Sequence, residues 1–119
     1  MNQDQKAVWD RYATAWKAPT LAEKQAILGT CVARSCVYTD PLAVARGWDE
    51  LTAHMSQFQE QLPGAYFITE YFLAHHGKSI ARWKMMKDDV QIGEGMSYGE
   101  YDADNRLVAM TGFFEGAAG

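Results

Sequence analysis

The sequence predicts an α+β fold in which three helices from the first half of the chain pack on a curved, mostly antiparallel sheet and enclose a pocket. Two observations support this prediction. Apolar residues recur with the helical period of about 3.6 before residue 65 and with the strand period of about 2 after it. Three short turn-forming sequences then divide the second half into four strands joined by hairpin-length connections.

The length and composition indicate a single globular domain over residues 1–119. Hydrophobic residues make up 48% of the 119 residues and charged residues 22%, which is typical of folded domains rather than disordered chains. The net charge of −4 provides no broad basic surface for nucleic acid. No apolar run approaches the roughly 20 residues of a membrane span, and the N-terminal residues lack the apolar segment of a signal peptide. We therefore expect a cytoplasmic protein with neither a nucleic-acid nor a membrane partner.

The first two helices have clear sequence signals. Trp9, Tyr12, Ala13 and Trp16 share one helical face, which predicts a helix over about residues 3–17, and Pro19 ends it. A second helix follows, because Thr20 and Glu23 have the spacing of a capping box. We expect that helix to end near Gly29.

A strand and a third helix complete the first half. Residues 36–39 favour a strand that stops at Asp40, because Pro41 cannot donate a ladder hydrogen bond. A loop then leads through Gly47 to the third helix, which ends at the turn-forming residues 63–64. The apolar face of this helix comprises Trp48, Leu51, Met55, Phe58 and Leu62.

The second half is predicted to form a meander of four strands at about 66–76, 79–87, 90–101 and 106–115. One face of its third strand carries Gly93, Gly95, Ser97 and Gly99, which leave that face nearly bare. A hollow stripe between bulky neighbours suits a pocket for a small apolar ligand, whereas the alternative is that the glycines only permit strong coiling of the sheet. The bulky neighbours are Ala81, Trp83 and Met85 on the second strand and Val108, Met110 and Phe114 on the fourth.

Three polar residues are candidates for the chemistry of such a pocket. Asp40 ends a strand among apolar residues, where burial would raise its pKa toward that of a general base, although an Asx turn with nearby backbone is the structural alternative. Tyr12 lies within an apolar helical face, so its hydroxyl needs a partner from the protein or from a ligand. His54 flanks the apolar face of the third helix and could serve as an acid, a base or a hydrogen-bonded core residue.

No metal or cofactor is predicted. His75 and His76 are adjacent strand residues, so we expect their side chains to point to opposite faces and not to share a metal. Nucleotide-binding glycine motifs are missing from the sequence. Cys31 and Cys36 are interpreted as small buried hydrophobic residues.

The order of these features resembles the nuclear transport factor 2-like superfamily, and within it the SnoaL-like polyketide cyclases and the ketosteroid isomerases. The resemblance covers nearly the whole chain and is carried by residues 37–41 (Val-Tyr-Thr-Asp-Pro), the helix that begins at Gly47, the turn at 63–64, and the final residues 112–114 (Gly-Phe-Phe). It implies a cone of three helices wrapped by a curved sheet, and a homodimer.

The isomerase pattern also implies roles for individual residues. Asp40, followed by Pro41, matches the catalytic base, and Tyr12, within the Arg-Tyr-x-x-Ala sequence of residues 11–15, matches the oxyanion donor. Ser97 stands where the isomerases have a second donor, a protonated aspartate. His54 replaces an aromatic pocket wall, and Met55 replaces a tyrosine that braces the oxyanion tyrosine.

Two functional hypotheses follow. The first is a cofactor-independent, isomerase- or cyclase-like enzyme that uses Asp40 as general base and Tyr12 as donor on a small apolar carbonyl compound. The alternative is a non-catalytic ligand-binding or dimerisation module of the same fold. A homodimer is expected because the outer sheet face carries Met86, Met96 and Tyr98 beside Arg82 and Glu94. The residues expected to line the binding pocket are Trp16, His54, Phe58, Trp83, Ser97, Met110 and Phe114.

Overall fold

Three α-helices and six strands make up the chain in the computed structural model, which describes the backbone of residues 2–115 and the side chains of residues 4–115. The helices are α1 (Asn2–Thr14), α2 (Leu21–Cys31) and α3 (Gly47–Gln61), and a short 3-10 helix, Ala15–Lys17, extends α1. The strands are β1 (Val32–Asp40), β2 (Ala43–Arg46), β3 (Tyr66–His75), β4 (Lys78–Lys87), β5 (Val90–Tyr101) and β6 (Leu107–Phe113). No helix among the described residues is both long and apolar enough to cross a membrane.

The six strands form one sheet in the order β2-β1-β6-β5-β4-β3. All neighbours are antiparallel except β1 and β6, which run parallel. The predicted meander of β3 to β6 and the predicted α+β class are confirmed. Register shifts interrupt the pairing of β3 with β4, of β4 with β5 and of β5 with β6, and such bulges bend a sheet and increase its twist. The curved sheet wraps the helices on its inner face.

Three predicted boundaries in the first half are wrong. β1 begins at Val32 and not near residue 36. Residues 43–46 were expected in a loop but form β2, because β1 pairs with them through a tight turn at Pro41 and Leu42. α2 does not end at Gly29 but continues to Cys31. The weak helix propensity of one glycine, about 1 kcal/mol, is outweighed by the complete burial of Leu28 and Cys31 on either side of it.

A bulge in β6 changes which of its residues face inward. Glu100 pairs with Ala109 and Tyr101 with Leu107, so Val108 is an extra residue without an opposite partner. Leu107 and Met110 are consequently both buried, whereas strict alternation predicted Val108 on the face of Met110. The inward face of β6 therefore continues from Met110 to Gly112 in regular alternation.

A buried lysine joins the end of the first helical segment to α3. The Nζ of Lys24 donates hydrogen bonds to the carbonyl of Ala18, at 2.6 Å, and to Oε1 of Gln59, at 2.7 Å. The Nε2 of Gln59 in turn donates to the carbonyl of Trp16, at 2.9 Å. Burial lowers the pKa of Lys24, because the charged ammonium is removed from water. This network fixes the position of Trp16.

The bare stripe of β5 is partly filled by aromatic rings of the protein itself. The indole of Trp83 lies across Gly95, where an added Cβ would come within 2.6 Å of two ring carbons and 2.7 Å of the Phe113 carbonyl. At Gly99 an added Cβ would lie 3.4 Å from the Trp9 ring and 2.9 Å from Ser79 Oγ. The glycines therefore serve close packing at these two positions.

We expect Gly95→Ala to destabilise the fold by about 1–3 kcal/mol, because the new methyl group would overlap the Trp83 ring and a backbone carbonyl. Urea denaturation measures this change. Gly93→Ala is the matched control, since its added methyl would meet only the flexible end of Met85, at 3.1 Å. Equal stability of the two variants would contradict this account of the stripe.

Candidate functional site

A cavity of about 670 Å³ lies between the helices and the inner face of the sheet. Its lining comes from the first helical segment (Trp9, Tyr12 and Trp16), from α3 (His54 and Phe58) and from residues of all six strands. The lining residues that are exposed mark its mouth, and they are Leu42, Gln57, Gln61, Ile92, Glu94 and Glu115.

Asp40 lies at the polar end of this cavity, and its side chain is only 4% exposed. The Leu42 and Ala43 backbone NH groups donate to its Oδ1, at 2.8 and 2.9 Å. The Tyr38 hydroxyl, at 2.6 Å, and Nε2 of His54, at 3.1 Å, contact its Oδ2. Oδ1 therefore makes the contacts of an Asx turn, and Oδ2 makes contacts with side chains that line the cavity. The sequence analysis gave these two arrangements as alternatives, and the structure has both.

The pKa of Asp40 is lowered, not raised as the sequence predicted. Burial alone would raise it, since a carboxylate loses hydration in a cavity. Hydrogen bonds to the carboxylate from His54, Tyr38 and the Leu42 NH group outweigh that effect. The prediction was wrong because it gave the apolar neighbours more weight than His54 and did not count Tyr38 or the Leu42 NH group. Asp40 is therefore an ionised hydrogen-bond acceptor.

The contact with Asp40 determines the tautomer of His54. An ionised carboxylate can only accept, so Nε2 must carry the proton of the 3.1 Å hydrogen bond. Whenever the ring is neutral, Nδ1 is then an unprotonated acceptor. It makes no hydrogen bond with any described residue, and no described buried polar atom lacks a partner. Nδ1 is therefore not buried, consistent with the 19% exposure of the His54 side chain, which lines the cavity.

Tyr12 is buried within the cavity wall, with its residue 3% exposed. Burial is the main cause that raises the pKa of its hydroxyl, and the charge of Asp40 adds to it. The phenol is therefore neutral and can donate. No described residue accepts a hydrogen bond from it, so the hydroxyl is free to bond to a ligand oxygen.

Tyr38 is a functional residue that the sequence interpretation missed. Its hydroxyl donates to Asp40, and burial, the nearby Tyr12 and the charge of Asp40 all raise its pKa. The signal was present in the sequence, because residues two apart in a strand point to the same face. Tyr38 and Asp40 had to share a face of β1.

Ser97 and Gly112 complete the polar end. The Trp83 indole donates to Ser97 Oγ at 3.0 Å, which leaves the serine proton available for a ligand. Gly112 pairs with Ser97 across the strands, and a Cβ added to it would lie 3.6 Å from Asp40 Cβ, 3.8 Å from Ser97 Oγ and 3.9 Å from the Tyr38 hydroxyl. Residue 112 thus lies between the three polar groups.

Aromatic rings form most of the remaining wall. The ring of Phe67, not identified from the sequence, lies 5.3 Å from that of Phe58, 5.8 Å from that of Trp16 and 5.1 Å from that of Trp83. The Trp83 ring also contacts that of Phe114, at 6.2 Å. All five rings line the same cavity.

Met110 does not line the cavity. It is fully buried in the core between Gly99 and Tyr38, its partners on the neighbouring strands. At this level the space above the sheet is occupied by Trp9, whose ring covers Gly99. The helices cover this end of the sheet. Met110 is therefore a core residue, and the prediction that it lines the pocket is wrong.

Within residues 4–115, no group of three or more histidine, cysteine, aspartate or glutamate side chains could hold a metal ion. The prediction that His75 and His76 point apart is wrong, because His76 adopts a left-handed conformation with φ of 51° and its Nδ1 lies 3.1 Å from that of His75. The two cysteines are free and buried.

Solved structures with the same architecture are numerous. A candidate isomerase of the SnoaL-like family from Agrobacterium tumefaciens superposes with a TM-score of 0.88 at 19% identity, covering 96% of this chain and 99% of its own. A SnoaL-like protein of unknown function from Burkholderia thailandensis gives a TM-score of 0.76 at 17% identity, covering 98% of each chain. The chain has the nuclear transport factor 2-like fold. No family model and no curated protein matches the sequence.

A third nuclear transport factor 2-like structure was solved with a bound small molecule. It is a protein of ketosteroid isomerase-like fold from Catenulispora acidiphila in complex with trimethylamine, with a TM-score of 0.75 at 10% identity, covering 91% of this chain and 85% of its own. In the present chain, the positions carried over from the isomerase pattern, Asp40, Tyr12 and Ser97, all line one cavity. His54, which departs from that pattern, lies at the same cavity in contact with Asp40.

Proposed function

We propose that the protein is a cofactor-independent acid–base enzyme of the isomerase or cyclase type, acting on a small, largely apolar carbonyl compound. One observation carries this proposal: a carboxylate and an imidazole are hydrogen bonded to each other inside an aromatic cavity, with two hydroxyl groups open to a ligand. These are the base, orienting group and oxyanion donors that proton transfer next to a carbonyl requires.

Within this proposal His54 is the base and Asp40 is a positioning residue. Both oxygens of Asp40 already accept hydrogen bonds, four in total, so the carboxylate has little capacity left for a substrate proton. His54 also lines the cavity, and its Nδ1, which makes no described hydrogen bond, is the acceptor that we assign to the substrate proton. This assignment changes the roles expected from the sequence, where Asp40 was the base.

The proposed proton transfer uses three side chains that line the cavity: His54, Tyr12 and Ser97. Nδ1 of His54 takes a proton from the carbon next to the substrate carbonyl, and the C–H electron pair moves into the enolate, whose charge develops on oxygen. The neutral hydroxyls of Tyr12 and Ser97 donate hydrogen bonds to that oxygen. The imidazolium, stabilised by Asp40, returns its proton to carbon.

The structural relatives support this proposal at the level of the fold. The Agrobacterium tumefaciens protein is a candidate isomerase, and the Catenulispora acidiphila protein binds a small molecule. Both similarities are below 25% identity, so the proposal rests on the cavity described above.

Exchange of α-protons in heavy water provides the test. We expect the protein to accelerate deuterium incorporation into 2-tetralone, followed by proton NMR, above the rate in buffer. Gly112→Val should remove this acceleration, because its methyl groups would extend between Asp40, Ser97 and Tyr38 and block the polar end of the cavity. Its Cβ makes only ordinary contacts, so the fold should be kept. If 2-tetralone quenches tryptophan fluorescence but exchanges no faster than in buffer, the chain is a non-catalytic binding module instead.

We propose in addition that the protein is a homodimer that pairs through the outer face of its sheet. Two rows of paired residues cross that face: Tyr71, Arg82, Met96 and Phe113 form one, and Leu73, Ile80, Tyr98 and Thr111 the other. Tyr71, Leu73 and Phe113 are large and exposed. This surface on four strands is mostly apolar, with Arg82 and Thr111 as its polar members, and it favours burial against a second copy.

Sedimentation equilibrium should give twice the 13.3 kDa chain mass at micromolar concentration. Leu73→Lys is expected to shift the protein to the monomer, because it places a charge in the apolar rows. Leu21→Lys, a change of an equally exposed leucine on α2, should leave the dimer intact: Leu73 is 47% and Leu21 55% exposed. A monomeric wild-type protein would contradict the proposal.

A further inference from the structure

The charges around the cavity have one sign. Asp40 lies inside it and Glu115 lies at its exposed mouth, whereas the Glu94 side chain follows the outer face of β5, opposite Lys84, and accepts a hydrogen bond from Gln91. Among the described residues that line it, there is no lysine or arginine. His54 is the one lining side chain in that set that could carry a positive charge, and its hydrogen bond is directed at Asp40.

The carboxylate of Asp40 is ionised and has no cationic partner other than His54. The phenol of Tyr38 and the backbone NH groups of the turn solvate the carboxylate without neutralising it. A negative charge that is 4% exposed keeps a strong local field, because little water screens it. This field favours a positive group on the ligand and opposes a negative one.

The aromatic wall acts in the same direction. Ring faces carry negative charge density and attract cations whose centres lie within about 6 Å of the ring centroid. The rings of Trp16, Phe58, Phe67 and Trp83 are contiguous, with neighbouring centroids 5.1–5.8 Å apart. Three of these four contacts are edge-to-face, so adjacent rings direct their faces differently, and a cation binds where a ring face is turned to the cavity.

We propose that the ligand of this cavity is an organic cation, a protonated amine or quaternary ammonium that also carries an apolar body, and that the cavity rejects carboxylates of the same shape. The cationic group lies against the rings of Phe67 and Trp83 on the side of Asp40. The inference rests on the proposed function only because both concern the same cavity. If both hold, the substrate is a carbonyl compound that also carries a positively charged nitrogen.

Three probes of nearly identical shape and different charge test the inference: choline, 3,3-dimethylbutan-1-ol and 3,3-dimethylbutanoate. Titration calorimetry with the full chain should show choline binding at least about 10-fold more tightly than the neutral alcohol, and the carboxylate more weakly than both. Asp40→Asn should remove most of the preference for the cation. Its circular dichroism spectrum serves to verify the fold.

Ring substitutions give an independent measurement that does not alter Asp40. Phe67→Leu keeps apolar bulk but removes a ring from the cavity wall, so it should weaken choline binding several-fold and leave the alcohol nearly unchanged. Phe72→Leu is the matched control on the same strand, because Phe72 packs against the core and is not among the residues that line the cavity.

Competition with the neutral dye N-phenyl-1-naphthylamine separates the possible failures. If the dye binds and Gly112→Val abolishes its binding, but choline and the alcohol compete equally or neither competes, the cation preference is overturned while the proposed cavity function stands. If neither the dye nor any probe binds, both proposals fail. Dye binding displaced preferentially by choline supports both.

Discussion

Replacing His54 with glutamine should lower the rate of α-deuterium exchange by about two to four orders of magnitude, the usual contribution of a general base. Glutamine keeps a polar side chain near Asp40 but offers no basic nitrogen at the position of Nδ1. The measurement is proton NMR of 2-tetralone in heavy water with saturating protein. Stability should change little, because the His54 side chain is partly exposed and makes one described hydrogen bond.

Asp40→Asn should lower the rate of α-deuterium exchange by a similar factor, but for a different reason. The amide can donate to Nε2 of His54, which would move the ring proton to Nδ1 and remove the acceptor from the cavity. The nitrogen-15 NMR spectrum of the imidazole distinguishes the two tautomers directly. A purely structural role for Asp40 would leave the tautomer unchanged.

The two variants together identify the base. If His54→Gln retains exchange and Asp40→Asn loses it, Asp40 takes the substrate proton itself and the assignment proposed above is wrong. If both variants retain exchange, the cavity does no acid–base chemistry through this pair. Thermal denaturation of each variant provides the control for folding.

Asp40 should also make folding stability depend on pH in the acid range. Its pKa is lower in the folded protein than the value of about 3.9 of an unfolded chain. The stabilising contribution is therefore complete above that value and is lost as the pH falls through the folded pKa. Wild type should exceed Asp40→Asn by about 1.5–3 kcal/mol near neutrality, the size of hydrogen bonds to a charged group.

Urea denaturation at about pH 7, pH 4 and pH 2.5 measures this difference. We expect the gap between wild type and Asp40→Asn to narrow in acid. Tyr38→Phe removes one donor to Oδ2, so it should raise the pKa of Asp40 and move the loss of stability to higher pH. A gap that stays constant over the three pH values would contradict the network at Asp40.

The strand boundaries of the meander were predictable because their signals are local. Turn-forming sequences and period-2 alternation specified β3 to β6 to within one or two residues at most ends. β2 escaped prediction because a four-residue strand has too few residues to show a period, and its pairing with β1 is its main support. The bulge at Val108 was not predicted for a related reason. The residues around it alternate regularly in the sequence, and no residue type there marks the position that lacks a partner on β5.

The sequence by itself determined the α+β class, the positions of the three main helices and the placement of Tyr12 on the apolar face of the first helix, and it left Asp40 open between the pocket and its own turn. These depend on periodicity and on chain breakers, which act between residues close in sequence. Only the tertiary structure decided the chemistry of the site. The charge state of Asp40 depends on donors from β1, the following turn and α3, and His54 joins it across 14 positions of sequence. Hydrogen bonds at such distances are set by how helices and sheet pack, and a linear pattern carries no record of them.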